Sequence, residues 1–178
     1  IGSCFTGHIG ARLAAGKLNV LVNPFGIVYN PSSILRCLER LWGTHPTFDE
    51  TELFENAGLW RSWEHHGQFA QPDKTAALAD INAACQRAAD WLRGSNRLLL
   101  TFGTADVFAL RDTGQVVANN HKMNAAHFTQ HRLSVSEIVE GMVGILEKIK
   151  QKIPDFQVVV TISPVRHLRS GAVANQRS

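Results

Sequence analysis

Hydrophobic positions along the chain follow two alternating rhythms. Short, nearly continuous apolar runs occupy 97–102 and 156–162, as buried strands require, whereas the stretches preceding them repeat at the helical period. Asn30-Pro31-Ser32-Ser33 places a capping side chain and an early proline ahead of Ile34, Leu35, Leu38 and Leu41, which share one helix face. The span 76–92 is an alanine-rich helix; 134–152 opens on the capping box Ser134/Glu137 and carries the stripe Ile138, Met142, Ile145 and Ile149. Nearer the start, Ile1 is the last residue of a first strand, 8–15 is a helix, and 18–22 is a short buried strand broken by Asn23-Pro24-Phe25-Gly26. Residues 107–118 form a hairpin turning at Asp112-Thr113-Gly114. Strands alternating with helices predict an α/β fold whose mostly parallel sheet is covered by helices. The stretch 44–72 fits neither rhythm. It is long for a connection and holds Trp60, Trp63, His65, His66 and Phe69, so it is either a functional lid or a small ordered insertion.

Composition narrows the setting. The 178 residues, 44% apolar and 19% charged, suit one globular domain spanning 1–178. A net charge of +3 arises from scattered basic residues with no aromatic-interleaved run, which argues against a nucleic-acid partner. No apolar run approaches the roughly 20 residues that cross a bilayer, so no membrane span is expected, and the opening residues do not resemble a secretory leader. Cys4, Cys37 and Cys85 are odd in number and lack paired spacing, which points to a reducing compartment and a cytoplasmic protein. The chain starts in the tail of a strand and stops at Ala174-Asn175-Gln176-Arg177-Ser178 as a helix begins, so a fragment is expected, truncated before its last strand and helix.

Ligands of open parallel sheets bind outside the carboxyl ends of the strands. Four such ends carry unusual polar residues here: Ser3; Asn23 to Asn30; Gly103-Thr104-Ala105-Asp106; and Ser163-Pro164-Val165-Arg166-His167. At the first of them, Ile1-Gly2-Ser3-Cys4-Phe5 runs from an apolar residue through Gly-Ser into a helical pattern. A strand-to-helix turn of this kind exposes a serine nucleophile beside backbone N–H groups that hold a developing oxyanion. The alternative is a plain N-cap, for which serine is favoured. Cys4 is an alternative nucleophile, since a helix N-terminus favours the thiolate, with burial under the first helix as the competing reading. Adjacent His65 and His66 point two ways and make a poor chelate, so no metal is expected, nor any cofactor; one of the pair lining a cleft is the preferred reading. His8, His45, His127 and His131 read as surface or capping residues. Arg166 pairs either with a substrate carboxylate or phosphate, or with Asp155 or Asp106.

Gly2-Ser3-Cys4-Phe5, Asn23-Pro24-Phe25-Gly26, Thr101-Phe102-Gly103-Thr104-Ala105, Asn120-His121-Lys122 and Thr161-Ile162-Ser163-Pro164-Val165-Arg166-His167 resemble, in order, the motifs of the GSCFA family, a branch of the SGNH (GDSL-like) hydrolases. Thr6 stands where that family usually has alanine, and Asn120 where it usually has cysteine. The resemblance implies a flavodoxin-like three-layer α/β/α sandwich with Ser3 as nucleophile. In the wider SGNH pattern the oxyanion is held by the serine N–H, a glycine after strand two and an asparagine after strand three. Gly26 stands for the second element, with Asn30 as the alternative. The third departs, because Gly103-Thr104-Ala105 carries alanine where asparagine is expected; losing such a donor costs about 10²–10³ in rate unless Thr104, Asn119, Asn120 or His121 replaces it. The resemblance also implies a site role for His121. It draws the base and its carboxylate from an Asp-x-x-His motif that this chain lacks and that is expected beyond Ser178. His167, with Pro164 where the aspartate would stand, reads as a site-lining residue.

Two classes of function follow. In the first, the protein is a serine hydrolase or acyltransferase acting on an ester of a small molecule or an acylated saccharide. Ser3 attacks the acyl carbonyl, the N–H groups of Cys4 and Gly26 hold the oxyanion, and the Trp-rich segment 59–69 either stacks on a sugar or belongs to the core. In the second, a flavodoxin-like binding module has kept the cleft and lost efficient catalysis, as Ala105 suggests. A nucleotide-binding Rossmann protein is disfavoured by the lack of Gly-x-Gly-x-x-Gly or a Walker sequence.

Overall fold

The computed structural model describes residues 1–162. In chain order its elements are α1 (Cys4–Ala15), α2 (Pro31–Trp42), β1 (Leu53–Asn56), β2 (Leu59–Ser62), α3 (Lys74–Arg93), β3 (Arg97–Phe102), β4 (Asp106–Leu110), β5 (Val116–Val117), β6 (Phe128–Arg132), α4 (Val135–Lys152) and β7 (Gln157–Ile162), with short 3₁₀ turns between some of them. The fold is α/β. β3 and β7 pair in parallel from Arg97 opposite Gln157 to Phe102 opposite Ile162. On the other side of β3 the first residues run parallel to it: the Ile1 amine donates to the Leu99 carbonyl (2.8 Å), Thr101 N–H to the Ile1 carbonyl (3.1 Å) and Ser3 N–H to the Thr101 carbonyl (3.1 Å). These residues form an isolated parallel bridge, Gly2 opposite Thr101, and no described strand precedes α1.

Period-two burial on β3 turns Leu98 and Leu100 inward, where they join Ile34, Cys37, Leu38 and Leu41 of α2, Ile81, Cys85, Ala88 and Ala89 of α3, and Met142, Ile145 and Ile149 of α4 in one core. Local chemistry starts each of these helices. Asn30 accepts the Ser33 N–H (2.8 Å) with Pro31 in the first turn of α2, Asp73 accepts the Ala76 N–H (2.7 Å) at α3, and the Ser134/Glu137 capping box opens α4.

Four expectations change. The first helix begins at Cys4 rather than at residue 8, its first turn closed by Thr6 N–H on the Ser3 carbonyl (3.0 Å). Residues 18–22 are not a strand: no described strand lies beside them to share a ladder, Leu18 is 58% exposed, and Val22 packs instead against Gly10 of α1. The 107–118 hairpin forms, but β4 also pairs antiparallel with β6, from Asp106 opposite Arg132 to Leu110 opposite Phe128. The sequence hides β6 because Thr129, Gln130, His131 and Arg132 are all exposed and leave no alternation to read. Finally, 156–162 is not central among the described residues, where β7 pairs with β3 alone and exposes Val159, Val160 and Ile162.

The aperiodic 44–72 stretch is ordered. Its β1–β2 hairpin turns at Ala57-Gly58, both at positive φ as a tight hairpin turn requires. Phe48, Leu53, Ser62 and His65 are buried, and His65 stacks on Phe25 with ring centroids 4.6 Å apart. Ion pairs from Arg36 and Arg40 of α2 to Glu52 and Glu64 clamp it to the body of the protein. No helix among the described residues is long and apolar enough to cross a membrane.

Candidate active site

Gly2 explains why a glycine must precede Ser3. Its φ is +145°, and a side chain there would run into the Thr101 backbone. The Asn-Pro-Phe-Gly loop embraces the same residue, because Gly2 N–H donates to the Asn23 side-chain oxygen (3.0 Å) and Val28 N–H to the Gly2 carbonyl (3.0 Å). Ser3 is thereby delivered to the N-cap position of α1.

Its hydroxyl does not cap the helix. Ser3 is 1% exposed, makes no side-chain capping bond, and its Oγ is buried with no hydrogen-bond partner among the described residues. A buried hydroxyl left unpaired costs free energy, so the capping alternative does not explain why a serine stands here. Gly103 lies directly beside it. A β-carbon on Gly103 would sit 3.3 Å from Ser3 Cβ and 3.0 Å from Cδ1 of Tyr29, tighter than ordinary contact on both sides. Gly103 and Thr104 also donate their N–H groups to the Tyr29 carbonyl (2.7 and 3.2 Å). The loop after β3 is thus stitched to the residue before the α2 cap, with Ser3 against it.

The donors available for an oxyanion differ from those the family pattern suggests. Ser3 N–H is engaged by Thr101, and Gly26 N–H by the Asn23 carbonyl (2.7 Å), while His66 packs where a Gly26 side chain would begin. The Asn30 side-chain oxygen caps α2, and Thr104 Oγ1 accepts the Asp106 N–H (3.0 Å). Asn119 and Asn120 likewise turn their side-chain oxygens onto the N–H groups of His121 (2.8 Å) and Lys122 (3.2 Å). The first N–H groups of α1, those of Cys4 and Phe5, accept no such intramolecular duty among the described residues. They stand at the positive end of the helix dipole, next to Ser3 Oγ in the chain.

His121 takes a different place from the one expected. Its Nε2 lies 2.8 Å from the Ser62 carbonyl, which only accepts, so Nε2 carries the proton and the buried, unpartnered Nδ1 is bare. Its ring packs on Phe54 and Trp63, so its described side-chain partners belong to the 44–72 stretch and none is Ser3. Burial holds its pKa below the ordinary histidine value, against the opposing pull of the Ser62 bond. His65 is a core residue, with Nδ1 3.1 Å from Ser62 Oγ, and burial, with Arg40 and His121 adding to it, lowers its pKa to about 3. Both reach the Gly26 loop: His66 packs against Gly26 and donates its N–H to the Phe25 carbonyl (2.9 Å), while the His65 ring stacks on Phe25. Cys4 is partly exposed, whereas burial raises the thiol pKa of both Cys37 and Cys85. His167 and Arg166 lie outside the described residues. Asp106 forms a two-pronged pair with Arg132 (2.9 and 3.1 Å).

The model of the GSCFA family matches residues 1–178. The chain belongs to the GSCFA family. Comparisons with curated proteins and with solved structures find no match. For this GSCFA chain the residue that sequence reasoning passed over is Tyr29. A signal was present: it is the one tyrosine of the sequence, set between the Asn-Pro-Phe-Gly loop and the Asn30 cap.

Proposed function

We propose that this GSCFA protein is a serine-dependent esterase or acyltransferase of the SGNH type, built on a flavodoxin-like three-layer sandwich and acting on an ester, with an acylated saccharide as one substrate class. The observation that carries the reading is the Ser3 hydroxyl: held at the entry to α1, backed by Gly103, not capping the helix and bonded to nothing among the described residues. Ser3 Oγ attacks the acyl carbonyl carbon and passes its proton to a histidine. The N–H groups of Cys4 and Phe5 hold the resulting oxyanion, with Phe5 taking the part first expected of Gly26. Collapse breaks the ester C–O bond, the alcohol leaves with the proton, and water or a second alcohol takes the acyl group from Ser3. No imidazole is bonded to Ser3 among the described residues. The SGNH pattern assigns the base to an Asp-x-x-His motif, which these 178 residues do not contain, and His167 is taken as a site-lining residue.

The second reading, a binding module with weak or no turnover, has its own support. Ala105 offers no side-chain donor, and the N–H groups of Ser3 and Gly26 are both engaged within the fold. Fluorophosphonate labelling of the full-length gene product, with peptide mapping, separates the two. A stoichiometric adduct on Ser3 that disappears in Ser3→Ala is expected of the enzyme; folded protein that leaves Ser3 unmodified overturns the hydrolase reading in favour of the binder.

A further inference from the structure

Tyr29 is the aromatic side chain placed against the Ser3 hydroxyl's neighbourhood, and nothing in the chemistry above uses it. The position that a β-carbon of Gly103 would take is contacted by Tyr29 Cδ1 at 3.0 Å and by Ser3 Cβ at 3.3 Å, so one methyl-sized gap separates ring from serine. Tyr29 is 38% exposed while Ser3 is 1% exposed, so the tyrosine meets solvent where the serine does not. Its backbone is fixed independently of the ring, through the bonds from Gly103 and Thr104 to its carbonyl and the Asn30 cap that follows.

From this arrangement we infer that the Tyr29 ring is the wall of the acyl subsite and sets the size of the acyl group that Ser3 accepts. The inference rests on Ser3 being the nucleophile. A substrate reaching Ser3 past Gly103 meets the ring first. Because a β-carbon built on Gly103 would already lie 3.0 Å from the ring and 3.3 Å from Ser3 Cβ, little more than a methyl fits between them, so a short acyl group enters with a small displacement of the ring and a branched or aryl one does not. The specificity is therefore for short-chain esters, with Gly103 as the position that keeps even this passage open.

The test uses the full-length protein and two fluorophosphonates, one carrying a short alkyl chain and one a bulky aryl group, with the rate of Ser3 adduct formation followed by intact mass and the site confirmed by peptide mapping. Wild type is expected to react faster with the short probe. In Tyr29→Ala the rate with the bulky probe rises relative to the short one by about tenfold or more, the scale on which a hydrophobic wall discriminates by size. Tyr29→Phe, which keeps the ring, retains the wild-type ratio, and unchanged circular dichroism accompanies both variants. An adduct on Ser3 with the same size preference in wild type and Tyr29→Ala overturns this inference alone, as does an equal acceleration of both probes. No adduct on Ser3 in any variant overturns the nucleophile reading and this inference together.

Discussion

Replacing Ser3 with alanine distinguishes a capping serine from a stored nucleophile by the sign of a stability change. An ordinary N-cap serine, truncated to alanine, destabilises by about 1 kcal/mol. Ser3 should behave the other way. It is 1% exposed, its Oγ has no partner among the described residues, and it forms no capping bond, so the hydroxyl carries a desolvation cost of about 1–3 kcal/mol that no described bond offsets. Its removal leaves a void the size of one oxygen, which at ~24 cal/mol per Å3 takes back about a few tenths of a kcal/mol. The net expectation is stabilisation of about 1 kcal/mol, a rise in Tm of roughly 2–4 °C for a chain of this length. Ser134→Ala is the matched control. Ser134 Oγ accepts the Glu137 N–H (3.2 Å) while Glu137 returns to the Ser134 N–H (2.7 Å), so that variant should lose about 1 kcal/mol. Urea unfolding followed by tryptophan fluorescence, with calorimetry for Tm, reads both. A loss at Ser3 equal to the loss at Ser134 would refute the claim that the Ser3 hydroxyl is idle in the fold.

His65→Phe tests the buried imidazole through pH. Because burial lowers the folded pKa from 6.5 to about 3, the unfolded chain binds the proton more readily, so stability is fully present above pH 6.5 and is lost as pH falls toward 3; at pH 5 the loss is about 2 kcal/mol. Urea midpoints of wild type should fall between pH 7 and pH 5 by that much more than those of His65→Phe or His65→Leu, and parallel pH curves would show that His65 does not titrate against the fold. Gly103→Ala forces a methyl into a place 3.0 Å from Tyr29 and 3.3 Å from Ser3; about 1–3 kcal/mol of destabilisation is expected from such overpacking, with Ser3 labelling slowed, and a variant as stable and reactive as wild type would contradict the contact. Glu64→Gln removes the carboxylate that faces both Arg36 and Arg40, whose side chains are 26% and 23% exposed. Partial solvation keeps the expected cost below the ~3–5 kcal/mol of a fully buried pair, at about 2 kcal/mol, read by chemical denaturation.

What the sequence made legible is what local chemistry controls. The Asn30-Pro31 start of α2, the Ser134/Glu137 box and the alanine-rich α3 are each decided by a few neighbouring side chains, and all stand where the pattern put them. The failures are non-local. Residues 18–22 have the composition of a strand but no described neighbour to pair with, and β6 has a neighbour in β4 but no apolar alternation. The histidines divide on the same line. His65 and His66 are adjacent in sequence, yet one is sealed between Phe25, Phe48 and Phe69 and the other packs against Gly26, a distinction that only the folding-back of the 44–72 stretch creates.

The polar residues at the strand ends also carry a lesson about how such sites are built. Asn23, Asn30, Thr104, Asn119 and Asn120 all read as candidate site groups, and each has a side-chain oxygen committed to a backbone N–H of its own loop or of Gly2. Of these bonds only that of Asn23 reaches the stretch Gly2 to Phe5, whose own chemistry stays free: a hydroxyl with no partner among the described residues and the opening N–H groups of α1. Convergence of polar residues therefore marks the place of the site without naming the reacting groups, because rigid loops need most of the same residue types that catalysis does. On this argument, alanine at Asn23 should impair Ser3 labelling by loosening Gly2 rather than by removing a donor. The conservative Asn23→Asp, which keeps the accepting oxygen on the Gly2 N–H, should restore labelling toward wild type. Equal impairment in the two variants would instead mean that the Asn23 amide itself faces the substrate.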